Sequence, residues 1–370
     1  MQDHSFGRDC AALLREQTEG RLIPRRKLLK LCAALGVAPA LFRPTPVGAN
    51  PNEIVLVNWG GDAVTAFAEA FADPFMANNP AIRVVVDGAG PSSGRIKAMV
   101  ESGVVTWDVC DRNIPASLEL GREDLLEEID YGVVDRAKVR ETHAGRWGVG
   151  NYIFSNVLTY DTQAFDGRVP TTWADFWNLQ DFPGTRTLRR HIDGQLEAAL
   201  LADGVAPEDL YPIDVDRALE KIREIREHTI FWGTGAESQQ VFRDGEVVMG
   251  NLFNTRASVA LRESGGRIDF TFNEGLVWVG AWIVPKGNPA GAAVWDFIAS
   301  TQDPEGQVAL LELLGNGPVN PAAADLVPED LRRIDPGNPD NYARQIEVDA
   351  EWYADHSAEV LSRYIEVISS

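Results

Sequence analysis

The sequence predicts an α/β protein of about two domains, each built on a doubly wound, mostly parallel sheet. Three observations predict it. The chain has 370 residues, 45% of them hydrophobic, which is enough for two cores and too apolar for disorder. From about residue 53 onward, short apolar runs alternate with segments of helical periodicity. Those runs are continuously apolar rather than alternating, as in strands covered on both faces. The formal net charge of −21 argues against a nucleic-acid partner, which needs clustered Lys and Arg. It also argues against an anionic membrane surface. No stretch of 18 uninterrupted apolar residues is present, so no mature membrane span is expected.

Taken in order, residues 1–49 read as an export signal. Arg25-Arg26-Lys27 precedes an apolar run from Leu31 to Phe42, and the small residues Val47-Gly48-Ala49 follow. This is the signature of a secretory signal peptide, and the paired arginines make it the twin-arginine type. A periplasmic destination is expected. Cleavage after Ala49 removes eight basic and four acidic residues and takes the charge from −21 to −25. Only Cys110 of the three cysteines remains, so no internal disulfide can form.

Ile54 to Trp59 reads as the first strand and Gly60-Gly61 as a turn. Val64, Phe67, Phe71 and Phe75 then repeat at helical spacing, with Asp62 as N-cap and Pro74 bending the end. Ile82 to Val86 is a strand, Gly88 to Gly94 a loop, and a helix runs through Ile96 and Met99; Thr106 to Cys110 is a third strand. Tyr152 to Tyr160 is rich in β-formers and suits a crossing between lobes. Helices follow at Trp173, over Leu196 to Leu201 and over Val215 to Ile225. Strands are expected over Val247 to Gly250 and Trp278 to Pro285, then helices over Ala292 to Ser300, Glu305 to Leu314 and along the tail.

Motifs for chemistry are sparse. The histidines left after cleavage, His143, His191, His228 and His356, stand at no metal-ligand spacing, so no metal is expected. No phosphate-cradling or dinucleotide motif follows a strand, so no cofactor is expected. Gly90-Pro91-Ser92-Ser93-Gly94 matches the nucleophile-elbow pattern between a strand and a helix. Ser92 is therefore the alternative reading, an exported serine hydrolase. Pro91 and the lack of an evident base favour a simple helix-starting turn. Aromatic residues at strand ends say more: Trp59, Phe253 and Trp278 suit a ligand clamp at the edge of an open sheet.

Several segments occur in a telling order: Val57-Asn58-Trp59-Gly60-Gly61, Lys97 to Gly103, Trp107-Asp108-Val109, Thr172 to Trp177 and Asp244 to Gly250. In that order they resemble the spermidine/putrescine-type periplasmic binding proteins, over nearly the whole chain from Glu53 to Ile368. The resemblance implies a two-lobed periplasmic-binding-protein fold, each lobe a doubly wound sheet, joined by crossing strands. It implies lobe 1 from 50–151 and 279–319, and lobe 2 from 152–278 and 320–370. It also implies a monomer that captures a small organic solute, a polyamine or a related amine or acid. The partner is an inner-membrane ABC permease, and the protein itself is not an enzyme.

The same resemblance implies a ligand site at Trp59, Phe253, Asn254 and Trp278, with Asp62, Asp111 and Asn316 as further candidates. Polyamine receptors place a carboxylate two residues after the later tryptophan, where this chain has Gly280. Their acidic second-lobe loop reads Leu188-Arg189-Arg190-His191-Ile192-Asp193-Gly194 here. Asp193 could meet an amine. Arg190 and His191 suit a carboxylate or phosphonate better.

Overall fold

The computed structural model describes residues 52–370, so the export signal lies outside the described residues. Among the described residues nine strands form one sheet: β1 (Glu53–Val57), β2 (Arg83–Asp87), β3 (Val109–Asn113), β4 (Val149–Asp161), β5 (Arg186–Arg189), β6 (Thr229–Trp232), β7 (Met249–Phe253), β8 (Ile268–Ile283) and β9 (Ile346–Glu347). Their order is β2-β1-β3-β8-β4-β7-β5-β6, with β9 beside β8. The two long strands, β4 and β8, run antiparallel through the middle. On one side stand the parallel strands β2, β1 and β3; on the other stand β7, β5 and β6. Each half is thus three parallel strands flanked by an antiparallel crossing strand, the two-lobed α/β arrangement expected from the sequence.

Each half has its own core. One cluster gathers Ile54, Leu56, Phe67, Phe71, Val109, Trp282, Phe297 and Leu310. Another gathers Trp173, Phe176, Leu188, Leu196, Ile222, Trp278, Tyr353 and Tyr364. A third chain segment crosses between them: the Gly317 amide donates to the Ile153 carbonyl at 2.8 Å, and the Ile153 amide donates back at 2.7 Å.

Three departures from the sequence reading have local causes. The first helix runs from Asp62 to Phe67 and again from Asp73 to Asn78, with a π-helical stretch, Ala68–Ala72, between. Pro74 has no N–H to give to the carbonyl of Ala70, so the bond spacing loosens just before it. The third strand begins at Val109, not Thr106. The Asp108 amide donates to the Val55 carbonyl at 3.1 Å, but the Val55 amide is diverted to the Asp108 carboxylate at 2.8 Å, which also accepts from the Ala290 amide at 2.7 Å. Finally, β8 begins at Ile268, ten residues before Trp278. The alternation Ile268, Phe270, Phe272 is a strand pattern. Its register against β4 breaks between Asn156 and Leu158. Glu274 lies nearby in the left-handed region at φ 54°. It is held there by Trp173, whose amide donates to its carboxylate at 2.8 Å and whose indole donates to its carbonyl at 2.9 Å.

Candidate functional site

The first lobe presents its site residues where β1 and β3 end. Asn58 shapes the turn after β1: its amide donates to the Ala63 carbonyl at 2.8 Å, and its carbonyl accepts from Gly60 at 3.0 Å. Gly60 has φ 76°, and a Cβ there would lie 2.8 Å from the Gly88 carbonyl oxygen, so only glycine is accommodated. This turn carries Trp59 outward, 51% exposed. The Arg112 guanidinium lies 5.4 Å from the Trp59 ring centroid and donates to Ser93 at 3.0 Å. Its Nε is buried without a hydrogen-bond partner, and no carboxylate pairs with it among the described residues. Burial pulls the Arg112 pKa down, and the negative charges of Glu119 and Asp193 oppose that.

Asp193 belongs to the second lobe, so Arg112 faces the loop that follows β5. There Asp193 accepts from Arg189 and lies 2.9 Å from His191 Nδ1. Burial opposes its charge, but His191 and Arg189, with Arg112 at longer range, hold the carboxyl well below the usual carboxylate range. The Arg189 guanidinium also lies 5.0 Å from the Phe253 ring and 5.6 Å from Trp232. Arg256, just after β7 on the helix Asn254–Glu263, is half-buried and has no ion-pair partner among the described residues. Its pKa is lowered by burial and raised by the charge of Asp62 from the first lobe. The structure therefore brings together Trp59, Asp62 and Arg112 of one lobe with Arg189, His191, Asp193, Phe253 and Arg256 of the other. Arg112, Arg189 and Arg256 were not among the residues singled out from the sequence. The run of two arginines offered no signal to choose between Arg189 and Arg190.

Other expected site residues stand elsewhere. Trp278 is 1% exposed; its indole donates to Asn156 at 2.8 Å, and its ring meets Tyr353 edge-on at 4.7 Å. It packs in the second-lobe core rather than presenting an open aromatic face. Asn254 is fully used by backbone: its carbonyl accepts from Ser155 at 2.9 Å, and its amide donates to Gly315 at 2.6 Å. It ties β4 to the third crossing segment. Arg190 is exposed and donates to the Phe231 carbonyl at 2.9 Å. Asn316 is buried on the crossing segment between Gly315 and Gly317 and makes no side-chain hydrogen bond among the described residues.

Asp111 points to the opposite face of β3 from Arg112, as alternation requires. It accepts from Asn151 at 3.0 Å and from Tyr152 at 2.9 Å, and burial pushes its pKa up to about 7. The space at Gly280 is already filled: a Cβ there would lie 2.3 Å from Asn151 Oδ1 and 2.8 Å from the Tyr152 ring. No ligand group reaches that position without displacing both. Ser92 is exposed at the N-cap of the helix Ser93–Ser102, and no base hydrogen-bonds to its hydroxyl among the described residues. The hydrolase alternative thus gains no geometric support. No helix among the described residues is long and apolar enough to cross a membrane.

Comparison with known proteins agrees with the two-lobed fold. Residues 70–333 match the model of the bacterial extracellular solute-binding protein family. The chain is 33% identical over 330 residues to a gamma-aminobutyric acid-binding protein of Pseudomonas aeruginosa, covering 85% of this chain and 91% of that one. It is also 33% identical to the solved Atu4243 GABA receptor, with TM-score 0.79, covering 86% of this chain and 98% of the other. The binding protein AgtB of A. tumefaciens R10, solved with agropinic acid, is 30% identical with TM-score 0.77, covering 86% and 99%. A spermidine/putrescine-binding protein of Streptococcus pneumoniae shares the fold at 16% identity and TM-score 0.66, covering 86% and 99%. The chain belongs to the bacterial extracellular solute-binding protein family.

Proposed function

We propose that this protein is the substrate-binding component of an ABC importer, and that its ligand is a small amino acid-like zwitterion of the 4-aminobutyrate type rather than a polyamine. The observation that carries this reading is the excess of unpaired cation across the gap between the lobes. Arg112 and Arg256 have no ion-pair partner among the described residues. The second-lobe acid Asp193 is already engaged by Arg189 and His191. A buried guanidinium without an anion is costly, and a bidentate carboxylate relieves it. Trp59, Phe253 and Asp62 offer aromatic faces and a carboxylate for an ammonium group. Two relatives named for 4-aminobutyrate and one solved with agropinic acid support the same ligand class.

The lobes divide near residues 151 and 278 in this reading, a division supported by the separate cores. Residues 1–49 direct a monomer to the periplasm, where it meets a membrane permease and no nucleic acid. A double Arg25→Lys/Arg26→Lys variant tests the route, since precursor should then stay in the cytoplasm. The ligand is tested by thermal shift with 4-aminobutyrate, glutamate and putrescine. A true ligand at 100 times its Kd stabilises the folded protein by about 2.7 kcal/mol. Stabilisation by putrescine and by neither acid would overturn the ligand assignment.

A further inference from the structure

Directly behind the cleft loop lies a carboxylate to which the ligand reading assigns no role. Glu197, on the helix Gln195–Ala202, is fully buried. It accepts from Tyr211 at 2.6 Å and from Tyr353 at 2.8 and 3.0 Å, and no cation pairs with it among the described residues. The Tyr353 oxygen in turn accepts from the Gly194 amide at 3.3 Å. The Gly194 carbonyl accepts from Asn251 at 3.0 Å, and Asn251 accepts from Asn156 at 2.8 Å. Both ends of the Gly194 residue are therefore gripped from the core. Gly194 adopts φ 72°, and a Cβ there would lie 2.6 Å from the Asn156 side chain. Its neighbour is Asp193, the acid that faces Arg112 across the gap.

We propose that Glu197, Tyr211 and Tyr353 form a positioning unit, and that the proton on Glu197 decides how the Ile192–Gly194 loop sets Asp193 against Arg112 at the edge of the ligand cleft. This rests on the cleft being the ligand site, as proposed above. A hydroxyl has one proton to give. When Glu197 is ionised it accepts from both tyrosines, and the Tyr353 oxygen is left to hold the Gly194 amide. When Glu197 is protonated it must itself donate to a tyrosine. Where that tyrosine is Tyr353, its own proton turns toward the Ile192 carbonyl, 3.5 Å away, so the hold on the loop extends to the residue before Asp193. Burial pushes the Glu197 pKa up to about 7, with the two tyrosines working against it and the charge of Asp193 with it. The exchange thus falls near neutral pH. The groups facing the unit are Tyr211 from the loop before helix Val215–Ile225, Tyr353 from the last helix, Asp193 from the cleft loop, and Asp349, which faces Tyr211.

The test uses mature protein labelled with nitrogen-15 glycine, as wild type, Glu197→Gln and Tyr353→Phe. The Gly194 amide resonance should move with pH in the wild type and lose that movement in both variants. His191 is common to all three, so their difference reports Glu197. Tyr353→Phe keeps the ring against Trp278 and decides the matter if Glu197→Gln does not fold. Calorimetry with 4-aminobutyrate should show affinity rising roughly threefold from about pH 6 to about pH 8 in the wild type, and flat in Glu197→Gln. The same Gly194 pH course in all three proteins overturns the positioning unit. A moving Gly194 with pH-indifferent affinity overturns its link to the ligand. If the wild type binds no 4-aminobutyrate at any pH, the ligand assignment fails while the Gly194 titration still decides the positioning unit.

Discussion

The Arg112 guanidinium of the first lobe lies over the exposed ring of Trp59, 5.4 Å from its centroid, with a buried Nε that no group among the described residues accepts from. A cation held against an aromatic face and short of one acceptor is a prepared seat for an anionic group. Arg112→Gln should therefore weaken binding of a carboxylate ligand by about 1.5–3 kcal/mol, the worth of a charged hydrogen bond. Folding stability should hold or rise, because an unpaired buried charge is removed. Calorimetric titration and urea unfolding of the same variant separate the two effects. Unchanged affinity would remove Arg112 from the site.

Trp59 and Trp278 should respond in opposite ways to truncation. Trp278→Ala empties a core position and breaks the indole bond to Asn156, so it should cost about 3–5 kcal/mol of stability. Trp59→Ala should leave stability within about 0.5 kcal/mol, as for an exposed position, and lower ligand affinity. Urea midpoints of the two variants decide this; a Trp59 variant that unfolds as readily as Trp278→Ala would contradict the placement of both rings.

Gly235 offers a way to move Arg256 without deleting it. A Cβ at Gly235 would lie 2.4 Å from Arg256 Nε, and a flexible side-chain end gives way more easily than backbone. Gly235→Ala lies at the start of a helix, where alanine is favoured over glycine. The variant should keep or gain thermal stability while binding the ligand several-fold more weakly. Equal affinity would show that Arg256 takes no part in binding.

His143 sets a pH dependence of stability whose sign is definite. It is 1% exposed, both ring nitrogens lack hydrogen-bond partners among the described residues, and burial lowers its pKa from 6.5 to about 4. The unfolded chain takes up a proton below about 6.5, and the folded chain resists it down to about 4. The His143 contribution is therefore fully present above that window and lost as pH falls through it, by up to about 3 kcal/mol. Asp111 and Asp335 act oppositely, since burial raises their pKa values to about 7 and about 6. The clean measurement is a difference: His143→Leu should be close to wild type in stability at pH 7.5 and gain on it progressively toward pH 4.5. Parallel curves would show that His143 is not held neutral.

The sequence by itself determined the α/β class, because continuous apolar runs and 3.6-residue periodicity are local properties. The helix Val215–Ile225 stands where its apolar spacing put it. The Thr172 and Asp175 capping box starts the helix Trp173–Trp177 as its residues require. Trp59 was legible too, since a tryptophan before two glycines at a strand end has little choice but to project. Tertiary structure decided the rest. Whether Trp278 faces a ligand or a core depends on Tyr353, 75 residues later in the sequence, packing on it. Whether Arg189 or Arg190 enters the gap depends on Phe253 and Trp232, which arrive from other strands. The positioning network behind Gly194 joins residues 156, 251 and 353. No local pattern announces it, because a buried hydrogen bond is specified by two partners at once, and those partners meet only when the chain has folded.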